Sequence, residues 1–172
     1  MSSVALRLTS SAFATGVVVV TCRGDADEPH GLTVNSFTAV SLEPPLVLVS
    51  IDRRARACRL LAERPFGVNV LDADQERLAT HFAGRSNRDV SIVWESGTLV
   101  PLLADALAFF ECEPWRDYDG GDHVLFLGRV VLSRHRDGDG LGFFRSRFFR
   151  APVPAASLAH HYDPFELPYD AL

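Results

Sequence analysis

The chain contains no lysine: all 17 basic residues are arginine, set against 22 acidic ones for a net charge of −5. Arginine in place of lysine throughout reads as the codon bias of a GC-rich genome, and no function is attached to it. The arginines are scattered along the chain, which excludes the concentrated basic face of a nucleic-acid binder. Cysteine is scarce as well, and Cys22, Cys58 and Cys112 are an odd number at wide spacing. With no C-x-x-C pair and no histidine at zinc-finger distance, neither disulfides nor structural zinc is expected, and each cysteine reads as a small buried hydrophobe. Long apolar runs are lacking. The longest, Val17 to Val20 and Pro44 to Val49, fall far short of a bilayer span, so no membrane segment is expected. The opening Ser2-Ser3-Val4-Ala5-Leu6-Arg7 has neither a basic stretch nor a long apolar core, so no secretory signal is read and the expected location is cytoplasmic. The pattern G-x-G-x-x-G of a dinucleotide fold is missing too.

What is present fits one closed domain over residues 1–150, followed by an extended Pro- and Ala-rich tail over 151–172. At 172 residues, with 47% hydrophobic and 23% charged positions, the chain is long enough to bury about two-thirds of its unfolded surface. A short helix is expected over residues 4–13, and the β-branched run Gly16 to Cys22 is the first long strand. Gly24 to Pro29 reads as a turn that sends the next strand, Gly31 to Phe37, back antiparallel. Leu46 to Ile51 and Phe66 to Leu71 are further strands, with a short helix over Ala57 to Glu63 between them. Asp72 and Gln75 form a capping box that opens a helix. Leu78, Ala79 and Phe82 share one of its faces, and Gly84 is its C-terminal cap. Later strands, Ala106 to Glu113 and Val124 to Ser133, are joined by the acidic, glycine-bearing connection Tyr118 to Asp122. The fold class is mainly β with a few short helices, an antiparallel, Greek-key-like barrel.

One segment breaks the patterning of a core strand. In Gly31-Leu32-Thr33-Val34-Asn35-Ser36-Phe37-Thr38-Ala39-Val40-Ser41-Leu42-Glu43-Pro44-Pro45, Thr33, Asn35, Ser36, Thr38 and Ser41 occupy places that Val, Ile or Leu would fill in a plain buried strand. Donors and acceptors at this density suit the rim of a flat polar heterocycle such as a flavin. The other reading is a strand whose hydroxyls are satisfied by neighbouring backbone.

Taken with Phe13-Ala14-Thr15-Gly16-Val17-Val18-Val19-Val20-Thr21 before it and Gly121-Asp122-His123 after it, this segment resembles the short-chain flavin reductase family, which folds as an FMN-binding split β-barrel. The blocks of that family read F-x-T-G-V-x-V-V-T, G-x-T-x-N-S-F-x-S-V-S-x-x-P-P and G-D-H, in this order. The resemblance covers about residues 10 to 150. It implies that Thr33, Val34, Asn35, Ser36, Phe37 and Thr38, with Ser41, line the isoalloxazine and the ribityl chain.

The phosphate needs positive charge or free amides. Ser50-Ile51-Asp52-Arg53-Arg54-Ala55-Arg56-Ala57 leads into an expected helix, which offers Arg53, Arg54 or Arg56 to a phosphate near its N-terminus, or else forms a solvated basic turn. Ser50, Ile51 and Arg56 are therefore counted with the cofactor site. Family members carry an S-x-T pattern here, and Ala55 and Ala57 depart from it. Phe82-Ala83-Gly84-Arg85 matches the family's F-A-G-R stretch beside the flavin, where Ala83 and Gly84 let a ligand approach the backbone and Arg85 and Arg88 reach toward phosphate or an adenine-bearing tail. A helix ending in glycine explains Gly84 equally well. The family's aromatic after R-D is Val90 here, which leaves the choice of FMN or FAD open.

In Gly121-Asp122-His123 the resemblance makes His123 the catalytic residue, positioning nicotinamide, with Asp122 beside the cofactor. Hydride transfer needs no general base, so the expected role of the imidazole is orientation. The activity implied is reduction of FMN or FAD by NADH or NADPH, supplying reduced flavin to a partner monooxygenase, by a homodimer. Two rivals stand beside it: a flavin-binding oxidase or oxygenase, and a non-catalytic flavin carrier, each on the same barrel. The tail residues His160, His161 and Tyr162 either fold over a neighbouring site or remain a solvated end.

Overall fold

The computed structural model describes residues 2–85 and 89–152; the expectations for Arg88 and for the tail beyond 152 lie outside the described residues. Chain order is α1 (Ser3–Ser10), β1 (Thr15–Gly16), β2 (Val18–Arg23), β3 (Pro29–Val34), β4 (Thr38–Leu42), β5 (Pro45–Asp52), α2 (Arg56–Leu61), β6 (Phe66–Val70), a 3-10 turn (Ala73–Gln75), α3 (Glu76–Phe82), β7 (Trp94–Ser96), β8 (Pro101–Leu103), β9 (Ala108–Gly120), β10 (His123–His135), β11 (Gly140–Phe144) and β12 (Arg147–Ala151). Seven strands form one antiparallel sheet in the order β3-β2-β6-β9-β10-β5-β4, and β1-β11-β12 and β7-β8 are smaller sheets beside it. The ends of the large sheet approach each other, and Asn35-Ser36-Phe37 crosses from β3 to β4 at the split.

Packing explains why β2 reads as an unbroken apolar run. Val18, Val20 and Cys22 pack into one cluster with Val49, Ile51, Phe66 and Phe126. Val17 and Val19 enter a second cluster with Leu71, Ala79 and Leu103. A strand covered on both faces has no polar side to alternate. Cys22 and Cys112 are among the buried residues, and burial pushes their thiols up to about 11 and about 12. They are the small hydrophobes the sequence suggested.

The capping box is present, with Asp74 N–H donating to Asp72 Oδ1 and Asp72 N–H donating to Gln75 Oε1, both at 3.0 Å. It opens a 3-10 turn that continues as α3. At the other end Gly84 adopts φ +81°, the left-handed residue that follows a helix C-terminus.

The acidic stretch Tyr118 to Gly120 is strand and not connection. Strands β9 and β10 pair through His123 opposite Gly120, leaving a two-residue turn at Gly121-Asp122. Polar composition suggested a loop, but an exposed antiparallel ladder tolerates it. Likewise α1 ends at Ser10, earlier than expected, and none of its residues is buried. The short strands β1, β4, β7, β8, β11 and β12 carry too few residues to show a period in the sequence. Glu111, fully buried, holds the β7–β8 turn by accepting N–H bonds from Thr98, Leu99 and Val100 at 3.0, 2.8 and 3.2 Å. Among the described residues no helix is long and apolar enough to cross a membrane.

Candidate functional site

Strand β3 is an edge strand, and α3 lies along it because two contacts pin it there. Thr33 Oγ1 donates to Ala79 O at 2.7 Å. The ring of Phe82 rests on Gly31, where a β-carbon would stand 2.6 Å from Phe82 Cε1. Two cavities flank this pairing. The first, about 440 Å³, is bounded by Thr33, Asn35, Thr80 and Arg85 and by Phe143 and Phe148 of the β11–β12 hairpin. The second, about 520 Å³, is bounded by Gly31, Arg56, His81, Phe82, Gly84 and Trp94. Ala83 lines both. The fold thus brings Thr33, Val34, Asn35, Arg56, Phe82, Ala83, Gly84 and Arg85 together, as the sequence blocks suggested.

The remaining hydroxyls of the polar segment act differently from expectation. Ser36 Oγ donates to Ser50 O at 2.8 Å and accepts from Ser50 N–H at 3.1 Å, which ties the crossing segment to β5 and closes the split. Phe37 packs against the first core cluster, its ring 5.4 Å from that of Phe110. Ile51 is fully buried. The side chains of Phe37 and Ile51 therefore belong to the core, and what these residues have left for a ligand is backbone. Thr38 and Ser41 lie on β4 at the far edge of the sheet, and neither lines the two cavities. Asn35 is exposed, and its carboxamide makes no hydrogen bond among the described residues.

The three arginines before α2 have three separate tasks. Arg53 clamps the Gly121-Asp122 turn: its N–H donates to Asp122 O at 3.0 Å, its Nε to Gly121 O at 2.7 Å, and its Nη2 pairs with Asp119 at 3.1 Å. Arg54 pairs with Asp52, Nη2 to Oδ2 at 2.6 Å and Nε to Oδ1 at 3.0 Å, and holds that carboxyl well below the usual carboxylate range. Arg56 alone of the three lines a cavity, tethered to Glu28 at 2.6 Å. Arg53 and Arg54 thus turn donors to the protein's own carbonyls and carboxylates, and Arg56 is itself paired with Glu28 and, at 3.9 Å, with Asp25, so its place at a cavity is what separates it from the other two. Beside Arg56, burial draws His30 below its ordinary value, with the arginine's charge adding to the effect.

His123 opens β10, opposite Asp52 of β5 and Gly120 of β9. Its Nδ1 lies 2.7 Å from Asp122 Oδ1, so the carboxylate fixes the ring. Neither His123 nor Asp122 lines the two cavities. Strand β5 relates them to the polar segment nonetheless. Asp52 stands two residues beyond Ser50, about 7 Å along the strand and on the same face, and Ser50 is the residue that Ser36 clips.

Sequence reasoning missed Thr80, His81, Trp94, Phe143, Ser146 and Phe148 as lining residues. The one available signal was the aromatic doubling Phe143-Phe144 and Phe148-Phe149 around Arg145-Ser146. Those two turn residues hold φ of +46° and +62°, a hairpin geometry usually given to Asn-Gly. The turn carries Ser146 to the first cavity, where the rings of Phe143 and Phe148 pack 5.2 Å apart.

Comparison with known proteins bears on the family and the fold. The family model of the flavin reductase like domain matches residues 10–152. An NADH-dependent FAD reductase of Streptomyces globisporus is 44% identical over 158 residues, covering 86% of this chain and 85% of its own length. Flavin reductase PheA2 in its native state superposes with a TM-score of 0.84 at 34% identity, over 89% of this chain and 100% of that one. The styrene monooxygenase flavin reductase of Pseudomonas putida S12 does so with a TM-score of 0.81 at 34% identity, over 87% and 99%.

Proposed function

The chain belongs to the flavin reductase-like family, and from that premise we infer that it uses NADH or NADPH to reduce FMN or FAD and releases reduced flavin to a partner monooxygenase. The observation that carries the reading is the meeting of two sequence blocks, Thr33 to Asn35 and Phe82 to Arg85, around adjoining cavities of about 440 and 520 Å³. Cavities of this size, lined by both apolar and polar residues, are what a small-molecule cofactor occupies. The residues present fit a flavin: a carboxamide without a protein partner, a strand edge with backbone to offer, and guanidinium groups for phosphate.

Bound flavin supplies the hydride-accepting chemistry, and the chain's part is to hold flavin and nicotinamide face to face. Asn35 and the backbone of Val34 to Phe37 serve the polar rim. Arg85, exposed and without an ion pair among the described residues, and Arg56 are the cations for phosphate. Ser36 and Ser50 act through the backbone they lock. His123, oriented by Asp122, holds the nicotinamide, and Arg53 keeps that turn in place.

We also propose a homodimer, and the exposed surface supports it. Helix α1 leaves Val4, Leu6 and Leu8 exposed, and β9 and β10 expose Trp115, Tyr118 and Val131, apolar area of the kind a partner subunit covers. The proposed reductant, NADH or NADPH, is an intracellular nucleotide, which supports a cytoplasmic location for the protein.

Purified protein mixed with NADH and an excess of FMN or FAD, followed by loss of nicotinamide absorbance, tests the activity. Turnover that depends on added flavin supports the reductase. Tight flavin with no NADH or NADPH consumption favours a carrier, and oxygen use that requires an organic substrate favours an oxidase.

A further inference from the structure

The small sheet β1-β11-β12 packs one face on the core, and among the described residues nothing covers the other. Leu141, Phe143 and Phe148 point inward and pack with Val17, Val19 and Leu71. Side chains alternate along a strand, so Gly140, Gly142 and Phe144 of β11 share the outer face with their partners Ala151, Phe149 and Arg147 of β12. Gly16 of β1, paired with Gly142, continues that face. Phe149 lies on a floor of glycines: a β-carbon on Gly142 would stand 2.3 Å from Phe149 Cζ, and one on Gly16 would meet nothing within 4 Å. Phe144 and Phe149 are exposed, as is Phe13 shortly before β1. At the hairpin tip the Arg145 guanidinium stands 5.3 Å from the centre of the Phe144 ring. Neither Arg145 nor Arg147 has an ion pair among the described residues. Rings interleaved with guanidinium groups suit a segment that interleaves aromatics with carboxylates.

The chain contains such a segment. Tyr162-Asp163-Pro164-Phe165-Glu166 belongs to residues 153–172, whose charged side chains are three carboxylates and no arginine. Strand β12 ends on the same outer face at Ala151, and Pro152 and Pro154 follow. Proline has no N–H with which to extend the ladder, and it favours a turn. From Ala151 back to Arg147 is four steps of strand, about 13 Å. The eleven residues from Ala151 to Tyr162 allow a reversal of about four residues followed by that return.

We propose that residues 156–166 of this chain dock on the outer face of β1-β11-β12, with Tyr162 and Phe165 against Phe144 and Phe149 and with Asp163 and Glu166 paired to Arg145 and Arg147. The docking needs no cofactor and holds whether or not the reductase reading does. The docked segment braces one wall of the first cavity, because the hairpin beneath it carries Phe143, Ser146 and Phe148 to that cavity.

Hydrogen exchange of the full-length protein, read by mass spectrometry, tests the docking. Amides of residues 156–166 should exchange at least about tenfold more slowly than those of an unstructured chain. Asp163→Arg with Glu166→Arg should abolish that protection, and so should Arg145→Glu with Arg147→Glu. All four substitutions together should restore it, since the charges are exchanged and not removed. Tyr162→Ser with Phe165→Ser, placed outside the packed sheets, should abolish protection too and keeps the test decisive if the hairpin variants do not fold. The proposal is overturned if residues 156–166 of the wild type exchange at the unstructured rate. It is equally overturned if their protection survives either tail variant, or does not return in the folded fourfold variant. Protection of the β11–β12 hairpin that disappears on dilution, together with a fall in sedimentation coefficient, would assign the face to a second copy and overturn it as well.

Discussion

Phe82 and Gly31 are in direct contact, ring on backbone, at the junction of α3 and β3: a β-carbon on Gly31 would meet Phe82 Cε1 at 2.6 Å and Cδ1 at 2.7 Å. The two residues stand in different sequence blocks, and the fold makes them one unit. Gly31→Ala forces Phe82 and the end of α3 outward. Overpacking of this kind costs about 1–3 kcal/mol, and it disturbs Ala83, which lines both cavities. The expected result is a lower unfolding midpoint in urea together with weaker flavin binding, and an unchanged midpoint would refute the contact.

Ser36 closes the split by two hydrogen bonds to Ser50, at 2.8 and 3.1 Å. Ser36→Ala leaves a half-buried N–H and carbonyl without their partner, a loss of about 1–3 kcal/mol. Denaturant unfolding measures it. Flavin binding should weaken at the same time, since Asn35 precedes the clip.

His123→Ala removes an orienting ring and no proton-transfer group. The expected change is a fall in kcat/KM for NADH of roughly 10- to 100-fold, with residual turnover, because misplacement of reacting groups costs about that much. Steady-state kinetics at saturating flavin check it. Complete loss of activity would assign His123 to the chemistry itself. Asp122→Asn, which keeps a hydrogen bond to Nδ1 in reach, should fall less.

Acid should destabilise the protein in two stages. His30 has a lowered folded pKa through burial and then Arg56, so the unfolded chain binds its proton more readily, and stability declines as pH falls below about 6.5. Asp52, lowered by Arg54, Asp25, lowered by Arg59, and Asp119, lowered by the Gly121 amide and then Arg53, contribute stability above their unfolded values. That contribution is lost below about pH 4. Melting temperature recorded from pH 7 to 3 should show both stages, and His30→Gln should flatten the first.

Much of this protein was legible in its sequence. The β-branched run Val17 to Val20, the Asp72–Gln75 capping box, Gly84 and the blocks Gly31 to Pro45, Phe82 to Arg85 and Gly121 to His123 each carry their meaning locally, because strand propensity, helix capping and turn conformation are set by near neighbours. The family and fewer than half of the residues around the cavities follow from them. Tertiary structure decided which polar groups remain free. Arg53, Arg54 and Arg56 are equivalent in the sequence, yet one clamps a turn, one pairs with Asp52 and one lines a cavity. Thr33, Ser36 and Asn35 read alike as polar rim, yet two hydroxyls bond the protein's own backbone and the carboxamide does not. Hydrogen-bond partners lie 14 residues away for Ser36 and 46 for Thr33, and Trp94 reaches the ring of Phe82 only through a hairpin held by a buried carboxylate. The type of a side chain fixes what it can bond. Whether that capacity is left for a ligand depends on long-range packing, which no local pattern encodes.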